Sequence, residues 1–273
     1  MLRDDQIRSD LAKLKEIVAA HKAPQADLAT HREIIGGIEY DVFTKAPPNL
    51  YELYRKGLQG ADETFLVYQE DRYTFAETLD RAARMGRILI NNYRIVSGDR
   101  IAICARNSPE WCIAYMAITM VGAIVVPMNS WWKGSEINYG LSDSGSKMAI
   151  VDQARFNEIE PFINSLQLDI IIIKPEKSVP FPEFNTVIEN VPPLTNEEVS
   201  ELNVKPEDHS TIMYTSGSTG HPKGVLSTHR NIINALYTWR FVKEINEILR
   251  PELVERNPKN QPALLANVPL FHV

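Results

Sequence analysis

The chain has 273 residues, of which 44% are hydrophobic and 23% are charged, and its formal net charge is −6. This composition is typical of a folded globular protein and argues against extended disorder. The acidic balance, with Lys and Arg scattered along the chain, argues against a nucleic-acid-binding protein, because such proteins need a concentrated basic surface.

The N-terminal region, residues 1–46, is predicted to be a helical extension. Charged residues run through its first 21 positions, so it lacks the uncharged core of a secretory signal. Its apolar residues recur at the spacing of an amphipathic helix; they are Ile7, Leu11, Leu14 and Val18.

Two cysteines, Cys104 and Cys112, form neither a C-x-x-C pair nor part of a cluster with histidines. We therefore expect two reduced and mostly buried thiols. Together with the absence of a signal segment in this sequence, the thiols favour a cytoplasmic protein, with an organelle matrix as the alternative.

Predicted helices and short apolar strands alternate from residue 74 onward. Thr74 and Glu77 have the spacing of a capping box, and Ser108-Pro109-Glu110 is a typical helix start. A further helix is predicted from about Ser135 to Asp143. This alternation predicts an α/β fold with mostly parallel sheets flanked by helices. The predicted strands cover residues 100–105, 123–127, 147–151, 169–174 and 211–214.

Residues 111–132 contain no charged side chain, and a run of that length could span a membrane. Gly122 interrupts it, and the residues that follow switch to the β-branched types of a strand before Pro127. A buried helix followed by a buried strand fits better, so we expect no integral membrane span. A protein anchored through this run is the weaker alternative.

A glycine-rich segment, YTSGSTGHPKG, follows the last predicted strand and runs from Tyr214 to Gly224. Its hydroxyls and Lys223 can bind phosphoryl oxygens, and its glycines, Gly224 among them, permit tight turns with positive φ. It is not a Walker A loop, because that motif requires Gly-Lys followed by Ser or Thr, whereas Lys223 lies between Pro222 and Gly224. Composition alone leaves a phosphate-binding loop and a flexible turn as alternatives. The loop is predicted to open into an amphipathic helix beginning near Thr228.

The string from Thr215 to Gly224 closely resembles the signature loop of the adenylate-forming superfamily. This superfamily contains acyl-CoA synthetases, coumarate-CoA ligases, luciferases and the adenylation domains of peptide synthetases. The order of segments from Gly98 to Asn129 also follows the family. The resemblance covers nearly everything after about Pro47, and it implies that residues 47–273 are part of the large AMP-binding domain.

The resemblance implies an ATP- and Mg²⁺-dependent activation of a carboxylic acid to an acyl-adenylate, followed by transfer of the acyl group to coenzyme A. It implies no catalytic residue and no metal ligand within this chain. His272 would line the acyl pocket near the substrate carboxylate, the alternative being an ordinary histidine at a strand end. Phe271-His272, where amino-acid-activating members commonly carry Phe-Asp, favours a fatty or aryl acid. The residues implied to bind the ATP phosphates are Thr215, Ser216, Gly217, Ser218, Thr219, Gly220 and Lys223.

Later segments of the family are not found in this sequence, among them the Tyr-Gly-x-Thr-Glu motif, the hinge and the small C-terminal domain with its catalytic Lys. The apolar run from Ala263 to Val268 is expected to be a buried strand whose neighbours are missing. We therefore expect an N-terminal fragment of a longer ligase. The alternative is an inactive fragment or a phosphate-binding module without ligase activity. Nothing in the sequence indicates an oligomeric state.

Overall fold

The computed structural model describes residues 4–23, 25–215, 221–251, 261 and 263–272, with side chains described from residue 8 onward. The chain divides into two compact units. The smaller unit comprises Met1–Pro47 and Arg230–Leu265, and the larger comprises Pro48–His229 and Ala266–Val273.

Helices and strands alternate through most of the described residues. In chain order, the helices are α1 (Asp4–His21), α2 (Leu50–Lys56), α3 (Phe75–Asn91), α4 (Pro109–Met120), α5 (Gly134–Ser144), α6 (Gln153–Ile159), α7 (Ile163–Leu166), α8 (Phe184–Ile188), α9 (Asn196–Glu201) and α10 (His229–Leu249). The strands are β1 (Thr30–Ile35), β2 (Ile38–Phe43), β3 (Thr64–Tyr68), β4 (Asp71–Thr74), β5 (Arg100–Cys104), β6 (Ile124–Pro127), β7 (Met148–Asp152), β8 (Asp169–Ile173), β9 (His209–Thr215) and β10 (Lys223–Thr228).

The smaller unit combines the N-terminal helix with a β-hairpin and most of α10. The helix predicted near the N-terminus is present as α1, but residues 1–46 are not helical throughout, because the antiparallel pair β1–β2 follows it. Aromatic rings hold the hairpin to α10, since the Phe43 ring lies 5.5 Å from that of Tyr237 and 6.4 Å from that of Phe241. Arg230 adds an ion pair with Glu33 at 3.0 Å.

A six-stranded sheet with the order β10-β9-β6-β5-β7-β8 forms the centre of the larger unit. Strands β5 to β9 run parallel, and β10 pairs antiparallel with β9 at one edge. Alternate residues of β5 enter different apolar clusters, because successive side chains of a strand point to opposite faces. Ile101 and Ile103 join the cluster of α3 and α4, whereas Ala102 and Cys104 join that of α5 and α6. The predicted mostly parallel α/β sheet is confirmed.

The helix starts predicted from local sequence are present. Thr74 and Glu77 form both hydrogen bonds of a capping box at the start of α3, at 2.8 and 3.1 Å. The Ser108 hydroxyl accepts the Trp111 N–H at 3.3 Å and caps α4. These bonds satisfy backbone N–H groups that have no partner within the helix.

The uncharged run of residues 111–132 divides between helix α4 and strand β6, both of which are buried. Gly122 lies between them with φ of 75°, a backbone conformation that a residue with a side chain rarely adopts. Among the described residues, no helix has the length and apolar character needed to cross a membrane.

The two cysteines have free thiols. Burial raises the pKa of Cys104 to about 12 and that of Cys112 to about 11, because it disfavours the thiolate. Neither thiol is therefore a nucleophile at neutral pH.

Candidate active site

The carboxyl ends of the parallel strands define one edge of the sheet, and open α/β folds bind ligands at this edge. Strands β9, β6 and β5 are neighbours in the sheet, so their carboxyl ends lie side by side. In the sequence, β9 is followed by the predicted phosphate loop, β6 by residues 128–133, and β5 by the stretch around Asn107.

The phosphate loop connects the last residue of β9 to the first residue of β10. Thr215 and Lys223 are opposite each other in the strand pair, and the Thr215 hydroxyl donates to the Lys223 carbonyl oxygen at 3.4 Å. Both residues are exposed at the sheet edge. The structure thus brings together the two ends of the predicted binding segment. The other predicted phosphate-binding residues, Ser216, Gly217, Ser218, Thr219 and Gly220, lie outside the described residues.

One expectation for the end of this segment is wrong. Gly224 does not have a positive φ; it lies within β10, where a Cβ atom would come within 2.8 Å of Ile212 Cγ2. A glycine fits at this position because strands β9 and β10 approach closely here. The helix predicted to begin near Thr228 is confirmed, since α10 begins at His229. Residues 223–228, before it, pair with β9 as a strand that was not predicted from the sequence.

Helix α5 contacts residues at both ends of the phosphate loop. Tyr139 Oη donates to the Pro222 carbonyl oxygen at 3.2 Å, and its ring stacks on that of His221 with centroids 5.0 Å apart. Before the loop, Tyr214 Oη donates to Asp143 Oδ2 at 2.6 Å and contacts the Gly140 carbonyl oxygen at 3.2 Å.

Burial, and then the Asp143 carboxylate, raise the pKa of Tyr214 well above its ordinary value, so this phenol stays neutral and donates its proton. No role for α5 is predicted from the sequence. Tyr139 and Asp143 are four residues apart and therefore lie on one face of the helix. That spacing is the one signal that could have drawn attention to them.

The segment after β6 is held by Arg155, whose Nε and Nη2 donate to the Ser130 carbonyl oxygen at 2.7 and 2.5 Å. Asp152 accepts from Arg155 Nη1 at 3.1 Å and thereby orients the guanidinium group. The Trp131 N–H donates to Asn129 Oδ1 at 2.8 Å, which closes a short side-chain turn. Trp131 is nevertheless 65% exposed, so this turn presents a large ring at the sheet edge.

Asn107 holds the C-terminal segment against the same edge. Its Nδ2 donates to the carbonyl oxygens of Ala266 and Val268 at 3.2 and 2.9 Å, and its Oδ1 accepts the Leu270 N–H at 2.9 Å. Phe271 is buried, with the Trp131 ring edge-on to it at 5.6 Å.

His272 is exposed in a 3₁₀ turn, Leu270–His272, whose first residue is held by Asn107. The preceding apolar run is not a buried strand, which overturns the expectation for residues 263–268. Leu264 and Leu265 are 92% and 84% exposed. Apolar side chains become buried only where another surface covers them, and none of the described residues covers these two leucines.

The described part of the chain contains no group of three or more His, Cys, Asp or Glu side chains that could hold a metal ion. The described residues at the sheet edge include the Thr215 hydroxyl, the ammonium groups of Lys133 and Lys223, and the Trp131 ring. Such a set suits a substrate with an anionic and an apolar part.

A sequence model of the family described as AMP-binding enzyme matches residues 53–273. The chain belongs to this family. The match confirms the resemblance found in the segment Thr215–Gly224 and includes every segment described above at the sheet edge.

Relatives within the AMP-binding enzyme family include several CoA ligases. The chain is 29% identical over 202 residues to a long-chain-fatty-acid–CoA ligase of Mycobacterium tuberculosis, covering 74% of this chain and 36% of that protein. It is 27% identical over 245 residues to a 4-hydroxybutyrate–CoA ligase of Metallosphaera sedula, covering 86% of this chain and 41% of the relative.

A solved structure of an anthranilate–CoA ligase in complex with anthranoyl-AMP superposes with a TM-score of 0.62 at 27% identity, over 67% of this chain and 35% of the other. The AMP-binding fold is therefore shared with this enzyme. The chain spans 36% and 41% of the two relatives named above.

Proposed function

We propose that the protein is an acid–thiol ligase that activates a carboxylic acid with ATP and then transfers the acyl group to coenzyme A. The observation that carries the proposal is the TSGSTGHPKG segment, whose two ends, Thr215 and Lys223, meet at the ligand-binding edge of the sheet. The CoA ligases among the relatives support the same reaction class.

In the first step, a carboxylate oxygen of the substrate attacks the α-phosphorus of ATP, and the bond to the bridging oxygen of pyrophosphate breaks. In the second step, the sulfur of coenzyme A attacks the acyl carbonyl carbon and AMP leaves. The first step increases the charge on the departing pyrophosphate, so fixed donors around it lower the barrier. We assign this role to Thr215, Ser216, Gly217, Ser218, Thr219, Gly220 and Lys223.

The Mg²⁺ ion implied by this chemistry is proposed to arrive bound to the phosphates of ATP, which is a common mode for this ion. The described residues do not gather into a metal site of their own. The ion would neutralise phosphate charge, and no role of a residue in this chain depends on it.

His272 is proposed to line the acyl pocket, at the same sheet edge as the phosphate loop. Its neighbour Phe271 contacts the Trp131 ring, and a histidine follows Phe271 where amino-acid-activating members commonly carry Asp. This environment favours a fatty or aryl acid over an amino acid.

Because the chain spans well under half of these relatives, we propose that residues 47–273 are the first part of the large domain of a longer ligase. Residues 1–46 would be an extension that precedes it. The second part of the large domain and the small C-terminal domain would be supplied by the remainder of the longer protein.

ATP–pyrophosphate exchange tests the proposed function. It is measured on residues 1–273 and on the protein expressed from its complete reading frame, across a panel of fatty and aryl acids. We expect exchange that depends on the acid and that is found only with the complete protein. A folded complete protein that binds ATP but exchanges with none of the acids would contradict the proposal and favour a phosphate-binding module without ligase activity.

A further inference from the structure

We propose that helix α5 positions the phosphate loop by holding both of its ends. Tyr139 holds the C-terminal end, at the residues that directly precede Lys223. This inference rests on the proposed function, since it concerns the same loop. Tyr139 touches no reacting group in this scheme and is therefore a positioning residue.

The contact at the C-terminal end of the loop has two parts. Tyr139 Oη donates to the carbonyl oxygen of Pro222 at 3.2 Å, and the Tyr139 ring lies on the His221 ring at 5.0 Å with 29° between the planes. Pro222 directly precedes Lys223, so these contacts fix the backbone from which the lysine extends.

The contact at the N-terminal end uses the next turn of the same helix. Tyr214 directly precedes Thr215, and its hydroxyl is bound by Asp143 Oδ2 at 2.6 Å and by the Gly140 carbonyl oxygen at 3.2 Å. The Trp132 ring meets the Tyr214 ring edge-on at 5.7 Å. Both ends of the loop are thus attached to a stretch of five residues, 139–143.

Helix α5 is itself fixed at both of its ends. Its first residue, Gly134, donates its N–H to Glu158 Oε2 at 2.9 Å. At the other end, Arg100 Nε donates to the Ser144 carbonyl oxygen at 3.0 Å and Nη2 donates to that of Gly145 at 2.8 Å. The side chain of Ile137 is completely buried. The helix can therefore act as a rigid support.

A rigid support matters for this loop because its sequence is rich in glycine, and a glycine-rich segment loses much conformational freedom when it is ordered around a ligand. Holding both ends in advance reduces the part of this cost that falls on ATP binding. It also keeps the lysine close to the position that the transition state requires. Loss of the Tyr139 contacts is therefore expected to affect ATP far more than the acid or coenzyme A.

The test is steady-state kinetics of the complete protein with Tyr139→Ala and Tyr139→Phe. We expect Tyr139→Ala to raise KM for ATP by roughly tenfold, with the KM values for the acid and coenzyme A unchanged. Tyr139→Phe keeps the ring stack and is expected to stay within about threefold of the wild type. His221→Ala should reproduce most of the effect of Tyr139→Ala, and the double variant should add little, because both changes remove the same ring stack.

Tyr93→Ala is the matched control, since Tyr93 is half-buried like Tyr139 but lies after α3. It should leave KM for ATP unchanged. An unchanged KM for ATP in folded Tyr139→Ala would overturn the proposal, as would an equal rise in the KM for the acid. Thermal unfolding of each variant shows whether the folded fraction has changed.

The positioning role of Tyr139 can also be tested if the wild type activates none of the acids. That result would contradict the proposed function but not the positioning role. Binding of inorganic pyrophosphate is then measured by calorimetry. We expect binding that Tyr139→Ala weakens by roughly tenfold and that Tyr139→Phe largely restores. Equal affinities, or no binding to the wild type, would overturn the positioning role.

Discussion

Replacement of Lys223 by alanine is expected to lower acid-dependent ATP–pyrophosphate exchange by about 100-fold, because the departing pyrophosphate loses a fixed positive charge. The side chain is exposed at the sheet edge, whereas the backbone of this residue pairs with Thr215 in the strand ladder. Alanine keeps that backbone pairing, so the fold and the thermal unfolding midpoint should change little.

Lys223→Arg keeps the charge in a different geometry, and we expect it to recover part of the lost rate. Lys177→Ala is the control, because Lys177 is also exposed but follows β8. Exchange by folded Lys223→Ala at the wild-type rate would contradict the phosphate-binding role of this residue.

The stability of the larger unit is expected to fall by about 2 kcal/mol between pH 7.5 and pH 5 through one residue, His229. This histidine is fully buried at the start of α10, and its Nδ1 accepts the Leu50 N–H at 3.2 Å. Burial lowers the pKa of His229 from its ordinary value of 6.5 to about 4, against the smaller opposing effect of Asp208. The neutral ring is therefore the form that the fold requires.

The sign of the pH dependence follows from this lowered pKa. Between about pH 4 and 6.5 the unfolded chain binds a proton that the folded chain does not, so acidification favours unfolding. The contribution is fully present above pH 6.5 and is lost progressively as the pH falls toward 4. It is measured as the difference in urea-unfolding free energy between the wild type and His229→Asn, whose side-chain oxygen can replace the Nδ1 acceptor.

We expect the wild type to lose more stability on acidification than His229→Asn, by about the 2 kcal/mol given above. His209→Asn is the control, because His209 is an exposed histidine of β9. An identical pH dependence in the wild type and His229→Asn would show that His229 is not the cause.

The sequence predicts those parts of the fold that depend on neighbouring residues. The capping box of Thr74 and Glu77 and the cap at Ser108 are local interactions, so both helix starts could be predicted. The parallel strands are continuous apolar runs because helices cover both faces of the sheet. Strand β10 was missed because Val225 and Leu226 are about half exposed and their strand is formed by pairing with β9.

In the candidate site, too, the features set by neighbouring residues can be predicted from the sequence, and those formed by distant contacts cannot. Family resemblance identified the segment from Thr215 to Lys223, but no local pattern reveals that Tyr139 contacts Pro222, since 83 residues separate them. The use of Asn107 to hold residues 266–270 is equally non-local. The apolar run before His272 is exposed, because a hydrophobic sequence becomes buried only when another surface is present to cover it.

Transfer of isotope from the substrate to AMP is the most direct test of the central claim, that the protein joins a carboxylate to the α-phosphorus of ATP. The complete protein is incubated with ATP, coenzyme A and an acid that carries ¹⁸O in both carboxylate oxygens, and the AMP released is analysed by mass spectrometry. The account predicts one ¹⁸O atom in each AMP, because the oxygen that attacks phosphorus stays with AMP when the thiol takes the acyl group. AMP without the label would show that water attacked the nucleotide, and it would contradict the account.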